Sequence, residues 1–331
     1  MNKKNLVNKK NLSEKALRFE FEKKQYGFFE DASVQVCEWN KKAIRGQGHC
    51  YKQDFYGADC ISCHQISPVS FWCNNSCIFC WRPKEYLGSK PTRVVEPEKM
   101  IEALIIERKK LINGFKGSNE IAQKNFPFAL NQKHWAISLV GEPTLYERLS
   151  ELVSLLNARP QTETVFIVTN GQNPRALLKL WAKNSLPTQL YVSMVAPRED
   201  LYKSITCNNE KNGWKNYLKS LALLKLLPCR TVIRLTVIKG LNDSLEEITR
   251  FAELLEIIQP DFIEIKSYMW LGFSRERLTK ENMPFHEDIK QFAGHFLSQA
   301  PSFKSEAEKK ESRIFLLKNI NSKFKTKIVE R

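Results

Sequence analysis

No stretch of this 331-residue chain approaches the ~20 consecutive apolar residues needed to span a bilayer. The opening residues, Met1-Asn2-Lys3-Lys4-Asn5, are basic, but no apolar core follows them. No secretory signal is read there, and a cytoplasmic protein with no membrane partner is expected. There is no internal repeat and no low-complexity linker, which argues against a solenoid or a string of tethered modules. Acidic residues are in short supply: 36 against 52 lysines and arginines, for a net charge of +16. Such a surplus suits a polyanionic partner, because neutralising phosphates releases condensed counterions, although charge carries no sequence specificity. Lysines crowd both ends, at Lys3, Lys4, Lys9 and Lys10 and at Lys318, Lys323, Lys325 and Lys327. Nine cysteines are present, yet nothing suggests secretion and a chain of this length needs no disulfide staples. Seven of them fall between residues 37 and 80, which reads as metal binding, while Cys207 and Cys229 stand alone and read as structural.

Three of the seven lie within eight residues, in Cys73-Asn74-Asn75-Ser76-Cys77-Ile78-Phe79-Cys80. Three thiolates on one short loop can hold three irons of a [4Fe–4S] cluster and leave the fourth iron open to a substrate or cofactor. A zinc site normally draws on two separated pairs of ligands, which this run does not offer. The C-x₃-C-x₂-C spacing resembles that of radical S-adenosylmethionine (SAM) enzymes, in which an aromatic residue at the place of Phe79 lies against the adenine.

From about residue 67 the pattern alternates between apolar strands and amphipathic helices, as in a mostly parallel α/β sheet. Strands are predicted at Val69–Trp72, His134–Val140, Thr164–Thr169, Gln189–Val195, Thr231–Lys239 and Phe262–Met269. Pro97 and Gly114 bracket a helix over Glu98–Asn113, Asn173-Pro174 starts another, and Ser244-x-x-Glu247 is a capping box opening a third that runs to about Ile257. Six β/α units are too few for an eight-stranded barrel and suit a partial (β/α)6 TIM-like barrel with an open side. Ligands in such folds bind at the carboxyl ends of the strands, where the cluster loop falls. Residues 1–30 read as a basic N-terminal extension, 31–66 as an irregular cysteine-rich segment, 67–300 as the barrel core and 301–331 as a basic C-terminal tail.

Upstream lie Cys37, Cys50, Cys60 and Cys63. All four could close a structural zinc or cluster site, or three could hold a second cluster with an open iron; spacing alone does not choose.

Longer motifs carry a resemblance. Gly46-Gln47-Gly48-His49-Cys50-Tyr51-Lys52-Gln53-Asp54-Phe55-Tyr56-Gly57, then the cluster loop with Trp81-Arg82-Pro83, resemble the tRNA 4-demethylwyosine synthases of wyosine biosynthesis. So do Ser138–Tyr146, Val168-Thr169-Asn170-Gly171, Arg234–Gly240 and Asn282-Met283-Pro284-x-His286. The similarity runs from about residue 30 to residue 300 and is to the single-domain archaeal form, without the flavodoxin-like domain fused in eukaryotic members. The resemblance implies a carbon–carbon lyase that joins 1-methylguanosine, next to the anticodon of phenylalanine tRNA, to pyruvate, using SAM, two [4Fe–4S] clusters and an external electron donor.

Site residues follow from the same resemblance. Cys73, Cys77 and Cys80 would hold the SAM-binding cluster, and Cys37, Cys50 and Cys63 an auxiliary one, with Cys60 a bystander or substitute. Gly141 and Glu142 would meet the methionyl amine of SAM, and Asn170 and Ser193 its ribose or carboxylate. Lys52 is the candidate for a Schiff base with pyruvate, the alternative being pyruvate bound on the auxiliary cluster. Where the family has Ser-Leu-Asp-Ala-Pro, this chain has Ser193-Met194-Val195-Ala196-Pro197 and lacks the carboxylate. Arg82, Lys84, Lys90 and Arg93 are candidates for holding phosphates, and Trp81 and Tyr86 for stacking on a base. Competing readings are a radical SAM enzyme acting on a peptide and a zinc-dependent RNA-binding module; the charge and the motifs disfavour both.

Overall fold

Six parallel strands lie side by side at the centre of the fold: β3 (Cys63–Ser67), β4 (His134–Ile137), β5 (Thr164–Thr169), β6 (Gln189–Met194), β7 (Arg230–Val237) and β8 (Phe262–Ser267). The coordinates are a computed structural model that describes residues 14–208 and 210–329. Antiparallel strands extend the sheet on both sides, β1 (Tyr26–Phe29) and β2 (Ala32–Gln35) beside β3, and β10 (Ile314–Asn319) and β9 (Phe303–Lys309) beside β8. The result is a mixed ten-stranded sheet.

The helices are α1 (Glu14–Glu22), α2 (Glu38–Ile44), α3 (Tyr51–Tyr56), α4 (Pro97–Ile112), α5 (Glu120–Leu130), α6 (Leu149–Ala158), α7 (Pro174–Ala182), α8 (Glu199–Thr206), α9 (Gly213–Leu224), α10 (Leu245–Ile258) and α11 (His286–Gln299). Their boundaries fall where the caps place them. Asn173 Oδ1 accepts from the Ala176 amide at 3.2 Å, and Ser244 Oγ from the Glu247 amide at 3.3 Å. Among the described residues no helix is long and apolar enough to cross a membrane.

The first parallel strand differs from the expected Val69–Trp72 and sits earlier, at Cys63–Ser67. His64 and Ile66 are buried on one face while Cys63 and Gln65 are only partly covered on the other. A strand with one face toward a site does not read as a continuous apolar run. Val69–Trp72 instead forms the connection, its Ser70 amide donating to Asp31 O at 2.7 Å. The segments taken as an extension, an irregular stretch and a tail hold β1, β2, α2, α3, β9 and β10. Four of the seven residues of β9 are charged, so only its pairing with β10 makes it a strand. The lysines at 3, 4, 9 and 10 lie outside the described residues.

Two apolar layers flank the sheet. The larger packs Ile137, Ile167, Val192, Leu235 and Ile265 against Leu152, Leu177, Leu221, Phe251 and Phe292 of the helices. The smaller lies on the opposite face, where Tyr51, Phe55 and Tyr56 of α3 cover Phe166, Tyr191, Val232 and Phe262. A six-residue helix is far too short to persist alone. Burying an aromatic ring is worth about 1.5–3 kcal/mol, so three rings suffice to hold it there. The chain's end crosses beneath: the Ile328 amide donates to Tyr56 O at 2.9 Å and Arg230 Nη2 to Thr326 O at 3.0 Å. Gly57 ends α3 with φ +77°, and a Cβ there would stand 2.1 Å from Val329 O. Only glycine allows both the left-handed turn and that approach.

Candidate active site

The loop bearing Cys73, Cys77 and Cys80 leaves the carboxyl end of β3 and is clasped from three sides. The Cys73 amide donates to Gly88 O at 2.8 Å, and the Ser76 and Ile78 amides donate to Thr206 O and Ile205 O at the end of α8, each at 2.9 Å. Arg277 donates from Nε to Ile78 O at 3.0 Å and from Nη2 to Cys80 O. Burial, then Cys73 and Cys80, raise the Cys77 thiol well above its ordinary value; burial and the Glu142 carboxylate push Cys73 up to about 12. Backbone amides of Asn75 and Arg82 aim at Cys73 and Cys80 and oppose that rise.

Among the described residues no three or more His, Cys, Asp or Glu side chains form a ready site for a metal ion. The donor chemistry nevertheless fits a multi-iron cluster: half-buried thiols that repel one another as anions, capped by amide donors, need several positive charges among them to ionise.

β4 ends beneath this loop. Gly141 has φ +73°, and a Cβ on it would stand 2.0 Å from Val69 O and 2.8 Å from Trp72 O, so the strand end and the loop touch through bare backbone. Glu142 is buried and its own amide donates to Trp72 O at 2.8 Å. Its carboxylate accepts from the Thr144 amide (3.1 Å), Thr144 Oγ1 (2.6 Å), Thr169 Oγ1 (2.5 Å) and the Asn170 amide (2.8 Å). Burial pushes this carboxyl up, and those four donors hold it back. Asn170 Nδ2 donates to Asn74 Oδ1 at 2.8 Å and lies 4.0 Å from Cys73 Sγ. Phe79 packs partly buried against the main core. Ser193 sits on β6 in register with Arg234 of β7. Val195 is buried in the apolar core, and its carbonyl accepts from Asn242 Nδ2 at 2.8 Å.

The upstream cysteines converge from separate elements. Cys37 precedes α2 and Cys50 precedes α3, each in extended conformation; amides of Asn40 and Trp39 oppose the rise of the Cys37 thiol and that of Lys52 the rise of Cys50, and Cys63 begins β3. Burial, then Cys37, with Cys50 behind, push the Cys63 thiol to about 12. Cys60 is raised by burial and then by Cys50, Cys37 and Cys63, so it shares their neighbourhood. Its backbone amide donates to Gln53 Oε1 at 3.0 Å.

Lys52 leans from α3 onto the sheet, its Nζ 4.2 Å from the Phe166 ring centre and 4.8 Å from that of Tyr191. Burial lowers its pKa, Arg234 lowers it further, and Cys50, Cys63 and Glu264 oppose. Sequence reasoning missed the charged set around it. Arg234 donates from Nε to Glu264 Oε2 at 2.9 Å, Tyr56 Oη to Glu264 Oε1 at 2.8 Å and Tyr51 Oη to Oε2 at 3.0 Å. Lys266 donates to Ser312 O at 2.7 Å, and burial brings it down to about 8. The readable signal was Glu264-Ile265-Lys266, two charges at period two inside a buried strand. Glu264 is fully buried, so Glu264→Ala strands the Arg234 charge. It should cost about 3 kcal/mol or more in equilibrium urea unfolding; a loss under 1 kcal/mol would show that the pair does not brace this face.

Most of the expected phosphate holders are spent internally. Arg82 is buried and donates to Leu139 O at 2.8 Å, Lys84 donates to Ser76 O, and Arg93 is ion-paired with Asp31 at 3.0 Å. Tyr86 packs in a small apolar cluster with Leu17, Phe21 and Phe71. Lys90 is exposed, and Trp81 is 46% exposed.

The fold and the thiol loop at the strand ends define a radical SAM enzyme, and residues 67–252 match the radical SAM superfamily model. Residues 258–319 match the model for wyosine base formation. The tRNA 4-demethylwyosine synthase of Pyrococcus abyssi is 42% identical over 86% of this chain and 83% of its own; that of Methanocaldococcus jannaschii is 38% identical over 92% and 96%. A solved structure of TYW1 with a lysine–pyruvate adduct bound superimposes with TM-score 0.84 at 36% identity, covering 96% of this chain and 99% of the other. The chain belongs to the S-adenosyl-L-methionine-dependent tRNA 4-demethylwyosine synthases.

Proposed function

We propose that this enzyme condenses 1-methylguanosine at position 37 of phenylalanine tRNA with pyruvate, through an imine on Lys52, with a second [4Fe–4S] cluster held by Cys37, Cys50 and Cys63. The observation that carries it is the setting of Lys52: an amine on two aromatic faces, beside Cys50 and Cys63, with its pKa lowered by burial. A lysine partly relieved of its proton is a nucleophile. The lysine–pyruvate adduct of the TYW1 relative supports the same assignment here. Lys266 is half-buried too, and its Nζ is held by Ser312 O at 2.7 Å.

Cys73, Cys77 and Cys80 would hold the SAM-binding cluster, which when bound and reduced supplies the electron that splits the sulfonium of SAM. The chain's own residues do the rest. Glu142 and Asn170 would orient SAM at the strand ends, with Phe79 available to its adenine and Ser193 to its polar groups. The Lys52 amine attacks C2 of pyruvate and water leaves. The base's N-methyl group would give a hydrogen atom to the 5′-deoxyadenosyl radical and its carbon would join to C2 of the imine; the C1–C2 bond would then break, the carboxylate leaving as CO2 and its odd electron passing to the auxiliary cluster. The base's exocyclic amine then displaces Lys52 and closes the third ring. A base stacked in an anticodon loop must be splayed out to arrive here, at a cost of a few kcal/mol.

Anaerobically reconstituted protein supplied with reductant, SAM, pyruvate and 1-methylguanosine-bearing tRNA should yield the tricyclic nucleoside, read by mass spectrometry. Formation of 5′-deoxyadenosine with an unchanged nucleoside would reject the substrate assignment.

A further inference from the structure

Beside the exit of the cluster loop lies a cavity of about 290 Å³ that neither the SAM site nor the Lys52 chamber uses. Its walls come from four places: Phe21 and Lys24 from α1 and the turn after it, Gln35 from β2, Trp81–Pro83 from the loop exit, and Leu271 and Gly272 from the segment after β8. That volume is near the low end for a small-molecule site and suits a single nucleotide unit. The walls are joined through backbone. A Cβ on Gly272 would stand 2.4 Å from Trp81 O, which accepts from the Phe273 amide at 3.1 Å. Lys24 O accepts from Gln35 Nε2 at 2.9 Å, tying the end of α1 to β2.

The chemistry inside is that of a stacking platform with a cation. The Arg82 guanidinium carbon lies 3.4 Å from the centre of the Trp81 ring and 5.0 Å from that of Tyr26. Arg82 is buried, donates onward to Leu139 O at 2.8 Å, and keeps a buried Nε without a partner. It therefore backs the Trp81 ring from one side, and Trp81 as a residue remains 46% exposed. Lys24 Nζ hovers 4.5 Å from the Phe273 ring centre. Glu20 and Glu276 lie near Lys24, but among the described residues no carboxylate lines the cavity. An exposed aromatic backed by a guanidinium, with a lysine at its rim, fits an unpaired base and its phosphate.

We infer that this cavity binds a nucleotide adjoining the reactive base, its base stacked on the open face of Trp81 and its phosphate at Lys24. The site thereby holds open the loop from which the reactive base is splayed. The inference rests on the tRNA reading above and adds to it a place for a second nucleotide.

The test uses the full, cluster-loaded protein and methylated anticodon stem-loop RNAs, one intact and others abasic at each position flanking the methylated base. For one of those positions the abasic RNA should bind the unaltered enzyme about tenfold more weakly, the scale of a lost base–aromatic stack. Trp81→Ala should weaken the intact RNA by a similar factor and show almost no further loss with that abasic RNA, since both remove the same contact. Trp81→Phe should recover most of the affinity. Lys24→Gln should weaken every RNA and lower the slope of log affinity against log salt by about one. Multiplying losses in the Trp81→Ala and abasic pair, or binding indifferent to every flanking base, overturns the inference. Should Trp81→Ala lose iron, the Trp81→Phe and Lys24→Gln measurements decide: an unchanged salt slope in Lys24→Gln rejects it. Failure of the tRNA reading looks different, since no intact RNA would then give the tricyclic product.

Discussion

Replacing Lys52 with arginine should abolish formation of the tricyclic base while SAM cleavage to 5′-deoxyadenosine continues. Arginine keeps the charge and the stem that lies across Phe166 and Tyr191. It cannot shed its proton, so it cannot attack a carbonyl. Loss of a nucleophile that works as part of a unit costs about a thousandfold or more. Trapping supplies the second readout: borohydride with pyruvate should add mass to the peptide holding Lys52 in the unaltered protein and leave it unmodified in Lys52→Arg. Product formation by Lys52→Arg above about a tenth of the original rate would move pyruvate off the lysine and onto the auxiliary cluster.

The cysteines should separate into two functional sets. With two [4Fe–4S] clusters the reconstituted protein carries about eight irons. Cys77→Ala leaves two thiols on its loop, too few to keep that cluster. Iron should fall to about four and 5′-deoxyadenosine to background. Cys63→Ala should also drop iron to about four, yet retain 5′-deoxyadenosine and lose the tricyclic product. Cys60→Ala should keep about eight irons, because the ligands assigned are Cys37, Cys50 and Cys63. Cys60 does sit among those sulfurs, so this measurement has force: iron lost on Cys60→Ala would make it the ligand. A colourless protein carrying zinc would sink both clusters at once.

The cluster loop was legible in the sequence because its ligands are local. Cys73, Cys77 and Cys80 lie on one turn of chain, so their spacing alone limits what they can hold. Five of the six parallel strands were legible too, since strands buried on both faces spell apolar runs. The sixth, β3, was misplaced because Cys63 and Gln65 on one of its faces are only partly covered, so it does not spell an apolar run. The short pairs β1–β2 and β9–β10 escaped notice for a related reason: they are strands through their partners and not through their own composition.

The sequence by itself determined the chemistry to be housed and the direction from which it is reached: a trio of thiols after a parallel strand, and a cationic molecule for a polyanion. Only the tertiary structure decided the company each residue keeps. It set Lys52 on the rings of Phe166 and Tyr191, more than a hundred residues away in sequence, and paired Arg234 with Glu264 in the same chamber. It also turned Arg82 from a phosphate ligand into the backing of Trp81. Burial depends on which surfaces pack together, and packing is a property of the folded chain that no single segment spells out.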